Sequence, residues 1–424
     1  MAGGVLGLGT LILNLFSAIG DRPASTSRTE DCPVGSSGFL LALSGVLNAP
    51  LHRGGTAFLH NNGDNFFPAM LDAMRAAERS INITVYIWQD GLVSTDFFDV
   101  LIERAKAGIE VRVLVDGFGG IRAPSGRIEE LRAAGGAWKA FHRPRFGRLT
   151  RLHRRTHRRA IVVDGKVGFT GGAAVMDKWL GDARSPEEWR DCMVEVGGRL
   201  ALSLQSAFAQ LWSHVTGELL VGEAFYPIGQ HDGGPDVEGE PVRRHLSVIS
   251  SPSSESHPMR PLFGFSILSA QKRVYITNPY FVPDRILCSS LIERASAGVD
   301  VRILVPNHHI DLKPIRFASQ SYFEVLLAGG VRIFEYQPTM IHQKLLVADG
   351  VWSLVGSVNM DVRSKELNQE NTLGILDEGF AAEMERTFLE DQSRALEVHL
   401  PEWKRRPWIR RLPERFFRLF EEQF

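Results

Sequence analysis

Residues 101–115 read LIERAKAGIEVRVLV, and residues 291–305 read LIERASAGVDVRILV. Eleven of these fifteen positions are identical at an offset of 190, so the chain carries two copies of one supersecondary unit. Each copy is legible by itself. A helical segment stops at Gly108 or Gly298, a residue suited to the left-handed cap of a helix C-terminus. A β-branched run follows at 111–115 or 301–305, as expected of a buried strand. Another apolar strand precedes each helix, at 81–88 (INITVYIW) and at 274–277 with its continuation NPYF. Strand, helix and strand in this order predict parallel pairing and an α/β class.

The duplication continues downstream. Residues 157–164 read HRRAIVVD, followed by GKVGFTGGAAVMD; residues 342–349 read HQKLLVAD, followed by GVWSLVGSVNMD. The offset is now 185, so the first copy holds five extra residues before its histidine. Alternate residues of a strand share a face, so His342 and Lys344 are expected to project together. A turn at Asp349-Gly350 and a strand at 351–355 then return Gly356, Ser357, Val358 and Asn359 to the same end. An imidazole, an ammonium, a hydroxyl and an amide on one side of a sheet suit a tetrahedral oxyanion such as phosphate. Glu370 is placed to bond the second ring nitrogen of His342 and orient it. A single match of this kind is weak; two matches at equivalent positions of a repeat are strong.

The chain divides into an N-terminal apolar segment and linker (1–50), a first lobe (51–227), a Gly- and Pro-rich linker (228–242), a second lobe (243–396) and a tail (397–424). Its 424 residues are 44% hydrophobic and 23% charged, which excludes a disordered or collagen-like chain. With 48 Lys+Arg against 49 Asp+Glu the net charge is −1, so any anion-binding surface is local. Three scattered cysteines (Cys32, Cys192, Cys288) offer neither a zinc site nor a disulfide framework. Gly117-Phe118-Gly119-Gly120 lacks the lysine and hydroxyl residue of a phosphate-cradling loop. His308-His309 has only Asp311 nearby as a further ligand, so a loop or substrate-lining role fits better than a metal site.

Three segments point to anionic or lipidic partners. Eight arginines lie between His142 and Arg159 with no acid from Glu130 to Asp164, and this run leads directly to His157. Residues 402–424 (EWKRRPWIRRLPERFFRLFEEQF) mix seven Lys/Arg with Trp and Phe, a composition that suits an interfacial segment on anionic lipid; the alternative is a helix packing its aromatics on the body. Residues 5–19 (VLGLGTLILNLFSAI) are uncharged, yet a helix there would span only about 22 Å, short of a bilayer core. An anchor and a buried helix are both open for it.

These motifs resemble the phospholipase D superfamily, whose members carry two HKD motifs meeting at a pseudo-two-fold interface. The resemblance covers roughly residues 62–395 and looks most like bacterial cardiolipin synthases, through VYIWQD (85–90), FTGGA (169–173), Trp189-Arg190-Asp191, ITNPYFVPD (276–284) and the basic tail. It implies two duplicated lobes, each a mixed β-sheet flanked by helices, with one active site between them. By position, His157, Arg159 and Asp164 match one motif and His342, Lys344 and Asp349 the other; the two aspartates look structural. Ser357, Asn359 and Glu370 match substrate-binding positions of one half-site, and Gly172 and Asp191 those of the other. The first copy departs from the pattern at Arg159, where lysine is usual, and at Ala174, where asparagine is usual.

The implied activity is transfer of a phosphatidyl group between phospholipids, phosphatidylglycerol giving cardiolipin and glycerol, through a phosphohistidine and with no metal or other cofactor. A phospholipase D-type hydrolase or a nucleic-acid phosphodiesterase are the alternatives within the superfamily, and a lipid-binding protein with a retired site is another. The expected partners are an anionic phospholipid substrate and a membrane surface, with no nucleic acid. The expected place is the cytoplasmic face of the cell inner membrane, held peripherally or weakly anchored.

Overall fold

The repeated segments form the parallel centre of two sheets. The computed structural model describes residues 32–142, 155–227, 243–251 and 257–420; the first apolar stretch, the 228–242 linker and the arginines at 143–154 lie outside them. In the first lobe the helix Leu92–Lys106 is followed by Gly108 at φ +88°, and in the second Arg285–Ser296 by Gly298 at φ +89°, as their sequence predicts. The strand Ser80–Val85 lies parallel to Glu110–Asp116, with Ile81 opposite Val111. Arg273–Thr277 lies parallel to Asp300–Pro306, with Val274 opposite Val301.

From one edge, the first sheet runs Ala57–Asn61, Cys192–Gly197, Val167–Gly171, Ala160–Val163, Ser80–Val85, Glu110–Asp116, Ala137–Phe141. The second runs Arg244–Ser250, Glu370–Leu376, Trp352–Gly356, Leu345–Ala348, Arg273–Thr277, Asp300–Pro306, Arg332–Tyr336 in the same order, with one added strand at each edge. Strand alternation divides the core. Ile161 and Val163 pack with helices of the first lobe, and Leu346 and Ala348 with helices of the second. Ala160, Val162, Leu345 and Val347 point the other way into one shared cluster, so the lobes join sheet to sheet.

The two added strands redraw the sequence-based division. His52–Arg53 pairs antiparallel with Arg244 and His245 of the second sheet, not with the first lobe that was expected to open at Leu51. The helix Ser37–Leu47 buries Phe39, Leu40, Leu43 and Leu47 in the second lobe's core, with Phe39 edge-on to Trp352 at 5.3 Å. Residues 37–53 therefore belong to the second lobe, since a helix with that apolar face must bury it somewhere. At the opposite edge Ala395–Val398 pairs with Arg332–Tyr336.

One side of the tail packs on the body, and another leaves large apolar side chains exposed. Trp403 is buried against Phe323, and Phe417 stacks on Phe317 at 5.7 Å, so one side packs on the body. Along the helix Trp408–Arg418 and just beyond it, Trp408, Leu412, Phe416 and Leu419 recur every three or four residues and are exposed by 68, 48, 55 and 72%. Among the described residues no helix is long and apolar enough to cross a membrane.

Candidate active site

Both histidines sit just outside their strands. The regular strands begin only at Ala160 and Leu345, so His157 to Arg159 and His342 to Lys344 precede them rather than lying on them as expected. The reason is a competing partner across the lobe junction. His157 N donates to Gln369 O at 2.8 Å, and Gln369 N donates to Arg155 O at 2.8 Å. On the other side His342 N donates to Arg190 O at 2.8 Å, and Arg190 N donates to Met340 O at 2.9 Å. Each motif's backbone is thus paired with the other lobe, to the residue just before that lobe's carboxylate.

That pairing decides which carboxylate serves which ring. Glu370 bonds His157 Nδ1 at 3.0 Å, and Asp191 bonds His342 Nδ1 at 2.9 Å. This corrects the sequence assignment, which gave Glu370 to His342 and Asp191 to His157. All four side chains are buried. The cation two residues on lies over its own histidine: Lys344 Nζ is 3.0 and 3.2 Å from Nδ1 and Nε2 of His342, and Arg159 Nη1 and Nη2 are 3.4 and 3.3 Å from the same atoms of His157.

Four other expected site residues have supporting tasks. Ser357 Oγ donates to Glu370 Oε2 at 2.5 Å, so its hydroxyl is already engaged by the carboxylate. At Gly172 a Cβ would stand 2.2 Å from Asp191 Oδ1, so this position needs glycine to leave room for the carboxylate rather than to bind substrate. Asp164 accepts from the backbone N–H groups of Glu78, Arg79 and Ser80, and Asp349 from those of Gln271, Lys272 and Arg273. Both aspartates tie their hairpin turns to the start of a parallel strand, at the far end of the strand from the histidines, and neither belongs with the catalytic groups. Asn359 is buried, with a carbonyl oxygen that has no hydrogen-bond partner among the described residues.

Arg159, Ala173 and Ala174 line one small cavity of about 10 Å³, so both departures in the first motif fall in the same place. Arg159 is also anchored through its backbone, which Asn371 holds by an N–H bond of 2.9 Å.

The two rings have different surroundings. His342 is boxed by Trp179 at 5.3 Å, Trp189 at 5.4 Å and Tyr280 at 6.2 Å between ring centroids. Trp179 Nε1 also donates to Asp191 Oδ2 at 2.8 Å. His157 has Tyr86 at 5.1 Å. Tyr86, Tyr280 and Trp179 were not picked out individually from the sequence, although each stands in or near one of the quoted stretches; Trp189 was quoted only as part of the resemblance.

Electrostatics separates the carboxylates too. Burial works to raise Asp191, but the hydrogen bond and charge of His342 and the charge of Lys344 outweigh it and hold it below the usual range. Burial pushes Glu370 up to about 8, against the opposing Ser357 hydrogen bond and Arg159 charge. Burial, reinforced by Lys344, lowers His342 to about 4, and burial with Arg159 holds His157 well below the ordinary imidazole range. A bound phosphodiester brings a negative charge that favours the protonated ring.

Burial also brings Lys344 down to about 7, with Arg159 adding to the shift against the pull of Asp191. Its cation is present below that pH and lost above it. Catalytic efficiency toward an anionic phosphodiester is therefore expected to fall as pH rises through about 7, and Lys344→Arg to move the falling limb to higher pH. A pH profile of kcat/KM in both proteins checks this; superimposable profiles would remove Lys344 as the titrating group.

The family model described as "cardiolipin synthase, PLD-like domain" matches residues 70–212 and 266–392. Cardiolipin synthase 2 of Bacillus anthracis is 33% identical over 363 residues, 84% of this chain and 68% of its own length. The cardiolipin synthase of Alkalihalophilus pseudofirmus is 33% identical over 363 residues, 84% of this chain and 70% of its own. The phosphatidylserine synthase structure from Haemophilus influenzae Rd KW20 covers 91% of this chain and 100% of that one, with a TM-score of 0.69 at 17% identity, a likeness of fold.

Proposed function

The chain belongs to the cardiolipin synthase family of phospholipase D-like proteins, and from that premise we propose that it converts two phosphatidylglycerol molecules to cardiolipin and glycerol at a membrane surface. The observation that carries the reading is the pair of buried histidines, each with Nδ1 on a carboxylate of the opposite lobe and a cation over its ring.

In this reading His157 is the nucleophile and His342 the acid and base. Burial and a neighbouring cation disfavour the protonated form of both rings, but at His342 the hydrogen bond and charge of Asp191 pull the other way, so His342 is the ring that takes the proton when the anionic phosphodiester binds. Nε2 of His157 attacks phosphorus, the bond to the leaving glycerol breaks, and that oxygen takes the proton from His342. The incoming hydroxyl returns a proton to His342 as its oxygen attacks phosphorus and the phosphorus–nitrogen bond breaks. Arg159 and Lys344 neutralise the phosphoryl oxygens, as electrostatic catalysis requires.

Purified protein with phosphatidylglycerol vesicles in EDTA is expected to yield cardiolipin and glycerol in equal amounts. Phosphatidic acid alone would make the protein a hydrolase. Loss of activity on chelation, restored by a divalent cation, would remove the metal-free mechanism.

The exposed stripe of the tail helix, flanked by Arg411 and Arg415, supports peripheral attachment to anionic lipid. Replacing Trp408, Leu412, Phe416 and Leu419 together with serine is expected to reduce sedimentation with phosphatidylglycerol vesicles at least tenfold, with an unchanged circular dichroism spectrum. This variant spares Trp403 and Phe417, which pack on the body. Undiminished sedimentation would assign the tail a purely structural role.

A further inference from the structure

The duplicated lobes present unlike rims to the site. The loops after Glu110–Asp116 and Asp300–Pro306 correspond at the offset of 190, which matches Phe118 with His308 and Ile121 with Asp311. Phe118 and Ile121 are exposed by 57 and 63%, so the first rim offers apolar surface, with Phe118 over Arg155 at 5.2 Å. The second rim offers the exposed His308 and Asp311. Asp311 is not free to swing away. Tyr280 Oη donates to its two carboxylate oxygens at 2.7 and 2.9 Å, and the Tyr280 ring stands edge-on to His342. Burial, reinforced by Asp311, holds the Tyr280 hydroxyl well above its ordinary value, so it keeps its proton and Asp311 is the acceptor.

A carboxylate beside a phosphate site opposes anion binding unless it serves another group. One phenol proton leaves most of its lone pairs unused, and a vicinal diol matches two of them.

We propose that Asp311 accepts hydrogen bonds from the free hydroxyls of the glyceryl headgroup, placing the alcohol half of the reaction against Tyr280 and His342 and the diacylglycerol half against Phe118 and Ile121. The inference rests on the transferase reading above and adds to it the direction of the substrate and the group that selects the alcohol. It agrees with His342 as the acid and base, because the leaving and the incoming alcohol then occupy one place beside it.

The test compares two alcohols on the full chain. Phosphatidylglycerol vesicles are incubated with labelled glycerol or with ethanol, and exchange into phosphatidylglycerol is measured against phosphatidylethanol formation. In Asp311→Asn the glycerol-to-ethanol ratio is expected to fall about tenfold, the scale of one hydrogen bond to a charged group. Tyr280→Phe, which removes the tether and keeps the charge, should lower the ratio in the same direction by less. An unchanged ratio in Asp311→Asn, whether or not total turnover falls, would overturn the assignment while leaving the transferase reading intact. A parent protein that hydrolyses phosphatidylglycerol and transfers to neither alcohol would overturn both.

Discussion

Alanine at either His157 or His342 is expected to lower cardiolipin formation by roughly four orders of magnitude or more, because residues acting as one unit fail together. The two variants should part company when the reaction is stopped early. His342→Ala retains the attacking nitrogen, its partner Glu370 and the overlying Arg159. It should accumulate a labelled phosphatidyl adduct at His157 that is slow to form and slower to resolve. His157→Ala should accumulate none. An adduct in His157→Ala alone would exchange the two roles, and near-normal turnover in that variant would retire the first half-site and with it the two-histidine mechanism.

The second large effect is expected at the carboxylates, and its pattern matters more than its size. Asp191→Asn and Glu370→Gln should each reduce turnover roughly 10²- to 10⁴-fold, as loss of the group that orients a catalytic imidazole does elsewhere. Because each carboxylate reaches across the junction, Asp191→Asn should shift the ring-nitrogen NMR signals of His342, and Glu370→Gln those of His157. Within-lobe pairing would give the opposite pattern. In a double-mutant cycle, Glu370→Gln combined with His157→Ala should cost far less than the sum of its parts.

Much of the architecture was legible because it is local. Glycines at the helix ends, β-branched runs and strand–helix–strand order are properties of neighbouring residues, and the repeat made each reading twice. His157, Arg159, His342 and Lys344 stood out as polar groups entering apolar runs. What the sequence left hidden depends on the junction. Spacing within a copy suggests that Glu370 belongs to His342, since the two flank the same hairpin. The contrary pairing arises from backbone bonds between residues as far apart as 157 and 369. The same bonds explain why the strands start late. The need for glycine at 172 follows from where Asp191 arrives, and the nearness of Arg159 to Ala174 from a cavity they both line. None of these has a local signature.

The helix Ser37–Leu47 and the strand His52–Arg53 add to the lobe whose sheet resumes only at Arg244. The ribosome therefore delivers a piece of the second lobe, then the whole first lobe, and only afterwards the rest of the second. At roughly 5–20 residues per second, the interval between Arg53 and Arg244 lasts about 10–40 seconds. During that time Phe39, Leu40 and Leu43 have no core to enter, because Trp352 and the helix Met259–Leu268 have not yet been made. The first lobe can collapse while this early segment waits. The nascent chain thus carries an unsatisfied apolar helix through much of its synthesis.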